Sequence, residues 1–503
     1  MRRFLLTAAA AALLSFPALA QDTSVLRIGM AEDTDLMDPT LSRTYVGRIM
    51  FSALCDKLVD IDAKLAIVPQ LAASYEWPDS KTLVLHLRQG VKFQDGTTMD
   101  AAAVKYSLDR HLNMQGSTRR GEIASMDHVE VVDPATVRVV LKSPSSPFIA
   151  QLTDRAGMIV SPKAAEGEGK DFALHPVCAG PYTFTERVPQ DHVTLDRFSG
   201  YWDAGNIHID RIIYRPIPDN SVRLANLQAG ALDMTVEGLP TDVDVLKNDK
   251  RVKLALYDGL GYQSITINLA HGPRAQTPLG QDARVRKAFE LAIDRTALIH
   301  VVYNDLYTPL AQAVPPASPF YAPLVAAPGR DVARAKALLA EAGVKLPVVV
   351  NLTVINSPDQ RQTGEVIQSM AAEAGFDVKV NSMEFATSLD ASDRGDFEAY
   401  LIGWSGRADA DANIWNFVHT GAPLNASFYS NKEVDGWLEQ ARAVTDVAAR
   451  RDLYAKEAAQ VEQDLPLIYV YVPKLIVAMS TKVNGFLPVP DGLVRPQGMS
   501  MSK

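Results

Sequence analysis

Apolar and polar positions along the chain change period repeatedly, and the changes mark out an alternating α/β body. Leu83, Leu85 and Leu87 alternate with Val84, His86 and Arg88, the period of two that predicts a strand. A turn at Asp95-Gly96 follows, and Asp100 is placed to cap a helix whose apolar face is Val104, Leu108 and Leu112. From about Gln281 the pattern becomes helical, with Val285, Ala288, Phe289, Ala292 and Ile293 at i, i+3, i+4, i+7 and i+8. Val350, Leu352 and Val354 predict a strand that ends at Asn356-Ser357-Pro358. The next helix carries Val366, Ile367, Met370 and Ala374 on one side and is stopped by Gly375. Phe376–Val380 predicts a further strand. Phe397–Ile402 predicts another, running directly into Gly403-Trp404-Ser405-Gly406-Arg407. Ligands of open α/β sheets bind beyond the carboxyl ends of strands, so this loop is a binding-site candidate on position alone.

The first twenty residues stand outside that pattern. Met1-Arg2-Arg3 is a short positive head, Ala8–Leu14 an apolar run, and Ala18-Leu19-Ala20 a small-residue site. That is the layout of a secretory signal peptide cleaved before Gln21, and the apolar run is too short for a membrane span. An exported, periplasmic protein is expected. Losing Arg2 and Arg3 makes an already acidic chain more so, since 59 acidic residues face 50 basic ones for a net charge of −9. With no long basic run, nucleic acid is not an expected partner. At 47% hydrophobic and 22% charged over 503 residues the chain can bury sizeable cores, and no Gly/Ser or Pro-rich tract divides it. The two cysteines, Cys55 and Cys178, sit in no CxxC pattern. An oxidising compartment favours a bridge between them, the alternative being two separate buried thiols.

Catalytic and metal signatures fail residue by residue. There is no GxxxxGK[ST] and no HExxH, and the nine histidines have no zinc-ligand spacing. Gly403-Trp404-Ser405-Gly406-Arg407 imitates a nucleophile elbow but has Arg407 where GxSxG needs glycine. Asp409-Ala410-Asp411-Ala412-Asn413 imitates the start of a calcium loop, yet Ile414 and Thr420 occupy the positions of its glycine and closing glutamate. No enzyme activity, metal or cofactor is expected. A secreted peptide hydrolase would need a nucleophile–base pair that the chain does not offer.

Ordered segments then carry a resemblance over nearly the whole chain. They include Met37-Asp38-Pro39, Asp56-Lys57-Leu58-Val59, Pro69–Trp77, Leu87–Gly96, Gly180-Pro181-Tyr182, Tyr201-Trp202, Leu227–Gly230, Val285–Arg295, Ala335–Leu339 and Gly403-Trp404. In this order they resemble the dipeptide/oligopeptide (family 5) periplasmic solute-binding proteins of ABC importers. The resemblance implies a two-lobed periplasmic-binding-protein fold, class II and of the large type, with a hinge of two strands. Lobe I would hold 21–262 and the return segment 474–503, with an extra subdomain at roughly 65–180; lobe II would hold 263–473. It implies a monomer that closes over its solute and hands it to permease subunits served by a separate ATPase.

Candidate solute contacts lie at lobe edges: Thr44, Tyr45 and Arg48; Tyr262 and Gln263 near the hinge; and Trp404, Ser405, Arg407, Asp409 and Asp411. Dipeptide binders resemble one another in an acid soon after Gly-Trp, which would pair with the ligand's amino terminus. Here Arg407 stands in that neighbourhood, a planar fork suited to a carboxylate, and the acids come only at Asp409 and Asp411. A solute with both charges fits: a short peptide, or else an opine or amino-acid/sugar conjugate. The competing account is an Arg407–Asp409 ion pair at the rim. Arg286 and Arg295 are read as ion-pairing groups on helices, and Tyr201-Trp202 as packing.

Overall fold

The computed structural model describes residues 24–502, so the signal segment and its cleavage point lie outside the described residues. Two large sheets organise the chain. The first has seven strands in the order Val252–Asp258, Lys474–Ser480, Met234–Thr235, Val25–Met30, Arg211–Pro216, His192–Arg197 and Tyr182–Val188. The second has six, in the order Thr308–Pro309, Leu467–Val472, Tyr262–Ile267, Ala399–Trp404, Val348–Ile355 and Phe376–Met383. A separate antiparallel sheet of four strands lies between residues 72 and 141 and packs its own apolar cluster around Leu83, Leu85, Val104 and Leu108.

The chain passes between the two large sheets at Gly259-Leu260-Gly261 and again at Pro473. The first crossing is three residues long and the second a single residue, and each joins a strand of one sheet to a strand of the other. This gives two lobes on a two-strand hinge. The strands Tyr262–Ile267 and Leu467–Val472, just beyond the crossings, are buried along their full length. They lie in the interior of the second sheet, and the first of them buries the polar Gln263, Ser264 and Thr266 along with its apolar residues.

The predicted elements are present with shifted ends. Asp100 accepts a hydrogen bond from the Ala103 backbone N–H and caps the helix Ala101–Asn113. Around Gln281 there are two helices rather than one: a single turn over Pro278–Gln281, then Ala283–Ala292 capped by Asp282. Gly375, at φ +103°, lies three residues past the end of the helix Pro358–Ala372, and Ala374 is buried outside that helix. Arg295 pairs with Glu290 at 2.7 Å, whereas Arg286 donates to the carbonyls of Asp464 and Gly280 and makes no ion pair among the described residues. Tyr201 Oη and Trp202 Nε1 both donate to the buried Asp56. Burial pushes the Asp56 carboxyl up to about 7.

Cys55 and Cys178 form a disulfide with Cα atoms 4.9 Å apart. It ties the end of the helix Tyr45–Leu54 to the segment that re-enters the first sheet at Tyr182. A bridge spanning 123 residues contributes roughly 2–5 kcal/mol by restricting the unfolded chain.

Candidate functional site

The strand Ala399–Trp404 pairs antiparallel with Tyr262–Ile267, and Tyr262 faces Trp404 in that register. The Gly-Trp strand end therefore emerges directly beside the hinge crossing. Two glycines make the approach possible. A side chain on Gly261 would lie 2.1 Å from the Trp404 carbonyl oxygen, and one on Gly406, at φ +78°, would lie 2.2 Å from Leu260. Only glycine fits both positions.

A cavity of about 620 Å³ opens at this strand end, between the two lobes. Tyr262, Tyr400, Trp404, Phe417 and Phe428 form apolar walls from the second lobe, while Arg43, Arg119 and Arg155 line it from the first. The volume is in the range of small-molecule sites. Asn413 shapes the wall. Its Oδ1 accepts from Trp404 Nε1 at 2.9 Å and from the Arg407 backbone N–H at 2.8 Å, and its Nδ2 donates to the Arg407 carbonyl at 3.0 Å. The Arg407 guanidinium lies 4.4 Å from the centre of the Trp404 ring, so it backs the wall and orients the indole.

Behind that wall sits a node of buried charge. Asp154 holds Arg48 of its own lobe at 2.6 Å and Arg407 of the other at 2.7 Å, with Arg155 Nε 3.7 Å away. Ser405 Oγ accepts from Arg48 at 2.9 Å and from Arg407 at 3.3 Å. Arg119 pairs with Glu122, and both Arg119 and Arg155 donate to the Ser42 carbonyl. Burial works against ionisation of Asp154, but Arg407 and Arg48 outweigh it and hold its carboxyl well below the usual range. Burial, and then the neighbouring Arg48, push the Arg407 guanidinium down to about 10. Burial and Arg119 lower Arg155 well below its ordinary value.

The residues expected from sequence fall into three groups. Tyr262 and Trp404 line the cavity. Arg48, Ser405 and Arg407 meet at Asp154, which joins the lobes. The others hold local structure. Thr44 caps the helix Tyr45–Leu54 through the Gly47 N–H, Tyr45 donates to the Gly492 carbonyl, and Gln263 donates to Gln360. Asp409 and Asp411 are each taken by another arginine. Asp409 receives two hydrogen bonds from Arg450, at 2.6 and 2.8 Å, and Asp411 two from Arg442, at 2.7 and 2.9 Å. In this structure neither carboxylate is free for a ligand ammonium. The Arg407–Asp409 rim pair is also absent among the described residues, since Arg407 lies buried on Asp154.

Arg119, Asp154, Arg155 and Asn413 did not stand out in the sequence reading. A signal existed for two of them: Asp154-Arg155 is the one charged pair in the largely apolar stretch from Phe148 to Val160, where a charged pair needs a buried partner. Among the described residues no cluster of metal-ligating side chains occurs, and no helix is long and apolar enough to cross a membrane.

Residues 66–425 match the family described as bacterial extracellular solute-binding proteins, family 5. The glutathione-binding protein GsiB of Salmonella typhi is 32% identical over 497 residues, covering 96% of this chain and 95% of the relative. Among solved structures, the PBP AgaA of A. tumefacien R10, in complex with agropinic acid, superposes with a TM-score of 0.87 at 27% identity. That match covers 95% of this chain and 99% of the other. DppA of Helicobacter pylori, in complex with the peptide STSA, also superposes with a TM-score of 0.87, covering 96% and 98%. At 24% identity it speaks to the fold alone. The chain belongs to the family 5 bacterial extracellular solute-binding proteins, which serve ABC transporters as binding components and not as enzymes.

Proposed function

We propose that this chain captures a short peptide or peptide-like zwitterionic solute between its lobes and delivers it to the permease of an ABC importer, working as a monomer in the periplasm after cleavage before Gln21. The observation that carries this reading is the aromatic-walled cavity of about 620 Å³ at the hinge, lined by residues of both sheets. Solute between the lobes adds contacts that exist only in the closed form, so binding shifts the population toward closure. The lobe limits follow the sheets. Lobe I is taken as 21–262 with 474–503 and an extra subdomain at roughly 65–180, and lobe II as 263–473; the sheets support this division to within a residue, since Tyr262 itself already pairs in the second sheet.

Within the site, Trp404 and Tyr262 are assigned as solute contacts. Arg48, Ser405 and Arg407 hold the lobes together through Asp154, while Thr44, Tyr45, Gln263, Asp409 and Asp411 brace the segments around it. The 32% identity to a glutathione-binding protein supports a peptide ligand. The second reading, an opine or amino-acid/sugar conjugate in the same role, is supported by the likeness at 27% identity to a structure holding agropinic acid.

A thermal-shift screen of the mature protein against dipeptides, glutathione and opines tests both readings. A ligand at 100 times its Kd adds about 2.7 kcal/mol to stability. Stabilisation by a peptide supports the first reading, and stabilisation by opines alone supports the second. Stabilisation by neither class would contradict both.

A further inference from the structure

The buried node at the cavity wall is not neutral. Four guanidiniums meet two carboxylates: Arg48, Arg155 and Arg407 share Asp154, while Arg119 pairs with Glu122. All four arginine side chains are at most 8% exposed. Three of them keep a buried N–H without a hydrogen-bond partner: Arg48 Nε, Arg155 Nε and Arg407 Nη2. The surroundings add no further ion pair to the node: Asp35, a nearby acid without an ion-pair partner among the described residues, takes the Ser42 and Thr44 hydroxyls beside Arg155 but makes no ion pair with any of the four arginines. Arg43 is paired with Asp393, and Lys57 and Arg495 are matched by Asp60 and Asp491. Arg442 and Arg450 have Asp411 and Asp409 to themselves.

A surplus of two positive charges in a dry wall is expensive unless something negative meets it. Arg119 and Arg155 open onto the cavity, and planar guanidiniums favour carboxylates bidentately. We propose that the solute supplies the missing anions: it is a diacid, carrying two carboxylates of its own, at least one of which is held by Arg119 and Arg155. This rests on the solute-binding reading above and narrows it, excluding neutral dipeptides with a single carboxylate as the best ligands. Burial first, and neighbouring guanidiniums second, lower Arg155 and Arg407, whereas Asp154 and Asp491 hold Arg48 up against its burial.

The main test changes the ligand rather than the protein. Titration calorimetry of the mature protein compares matched pairs that differ by one carboxylate: glutathione with its glycine amide, and Ala-Glu with Ala-Gln. The diacid of a binding pair is expected to bind at least tenfold tighter, with the gap shrinking as salt rises. Arg119→Gln, checked for folding by circular dichroism, is expected to reduce the gap to less than threefold. Equal affinity within a pair that binds would overturn the charge inference and leave the transport reading intact. Should no peptide bind and agropinic acid also fail, the reading of the solute class falls, and this inference with it.

Discussion

Two buried arginine–aspartate assemblies flank the Gly-Trp loop, and they differ in balance. Behind the loop, Asp409 and Asp411 each receive a two-pronged grip from one arginine, Arg450 and Arg442. Charge there is matched one to one. At the other assembly, Asp154 alone answers Arg48, Arg155 and Arg407. A matched pair has met its own needs and serves as structure. An unmatched cluster at a cavity wall is incomplete, and the missing charge has to come from outside. Local charge spacing gives the opposite ranking, because Arg407 and Asp409 are neighbours in sequence but not partners in the fold.

The contrast breaks first at Asp154. Replacing it by asparagine removes the one carboxylate that three guanidiniums approach, which should cost about 3–5 kcal/mol. Chemical denaturation measures this. Because the variant is still more cationic, a diacid such as glutathione should restore more of its stability than it adds to the wild type. A variant as stable as the wild type would show that the node does not depend on its acid.

Asp411→Asn should also destabilise, by about 3 kcal/mol, since it strands Arg442 and loses the contact from Gln151 across the lobes. The difference lies in binding. Preference for the diacid over its amide should stay within twofold of wild type, because a balanced pair contributes nothing to anion capture. Loss of that preference would erase the distinction between the two assemblies.

A smaller effect comes from a third kind of buried charge, one with no hydrogen-bond or ion-pair partner among the described residues. Glu457 is 2% exposed, and burial alone pushes its carboxyl up to about 8. The folded state therefore holds a proton that the unfolded chain releases near pH 4.5. That contribution is full below about pH 4.5 and is lost as pH rises toward 8. Glu457→Gln should flatten this slope and make the protein roughly 1–3 kcal/mol more stable than wild type at pH 8 to 9, with little difference at pH 4.5. Thermal unfolding across that pH range measures it. Here a lone charge is relieved by a proton, whereas arginine at the Asp154 node needs an anion.

Much of the fold was legible because it is local. Asp100 capping its helix, the alternation at Leu83–Leu87 and the glycine after the Pro358–Ala372 helix all depend on neighbours in sequence. The Gly-Trp loop was legible too, because its place at a strand end is a consequence of strand order. The charged node was not, since Arg48, Arg119, Asp154 and Arg407 come from four separate segments and meet only when the lobes do. Asp409 and Asp411 looked available because Arg450 and Arg442 lie some thirty to forty residues further on, on other helices. Asn413 had no charge to announce it, yet it makes three hydrogen bonds to the loop.

The most direct test is a crystal structure of the mature protein loaded with a bound diacid such as glutathione. The account predicts a solute carboxylate within hydrogen-bond distance of the Arg119 and Arg155 guanidiniums, with the solute stacked against Trp404 in the cavity. A bound solute that leaves both arginines in contact with protein and water alone would contradict it.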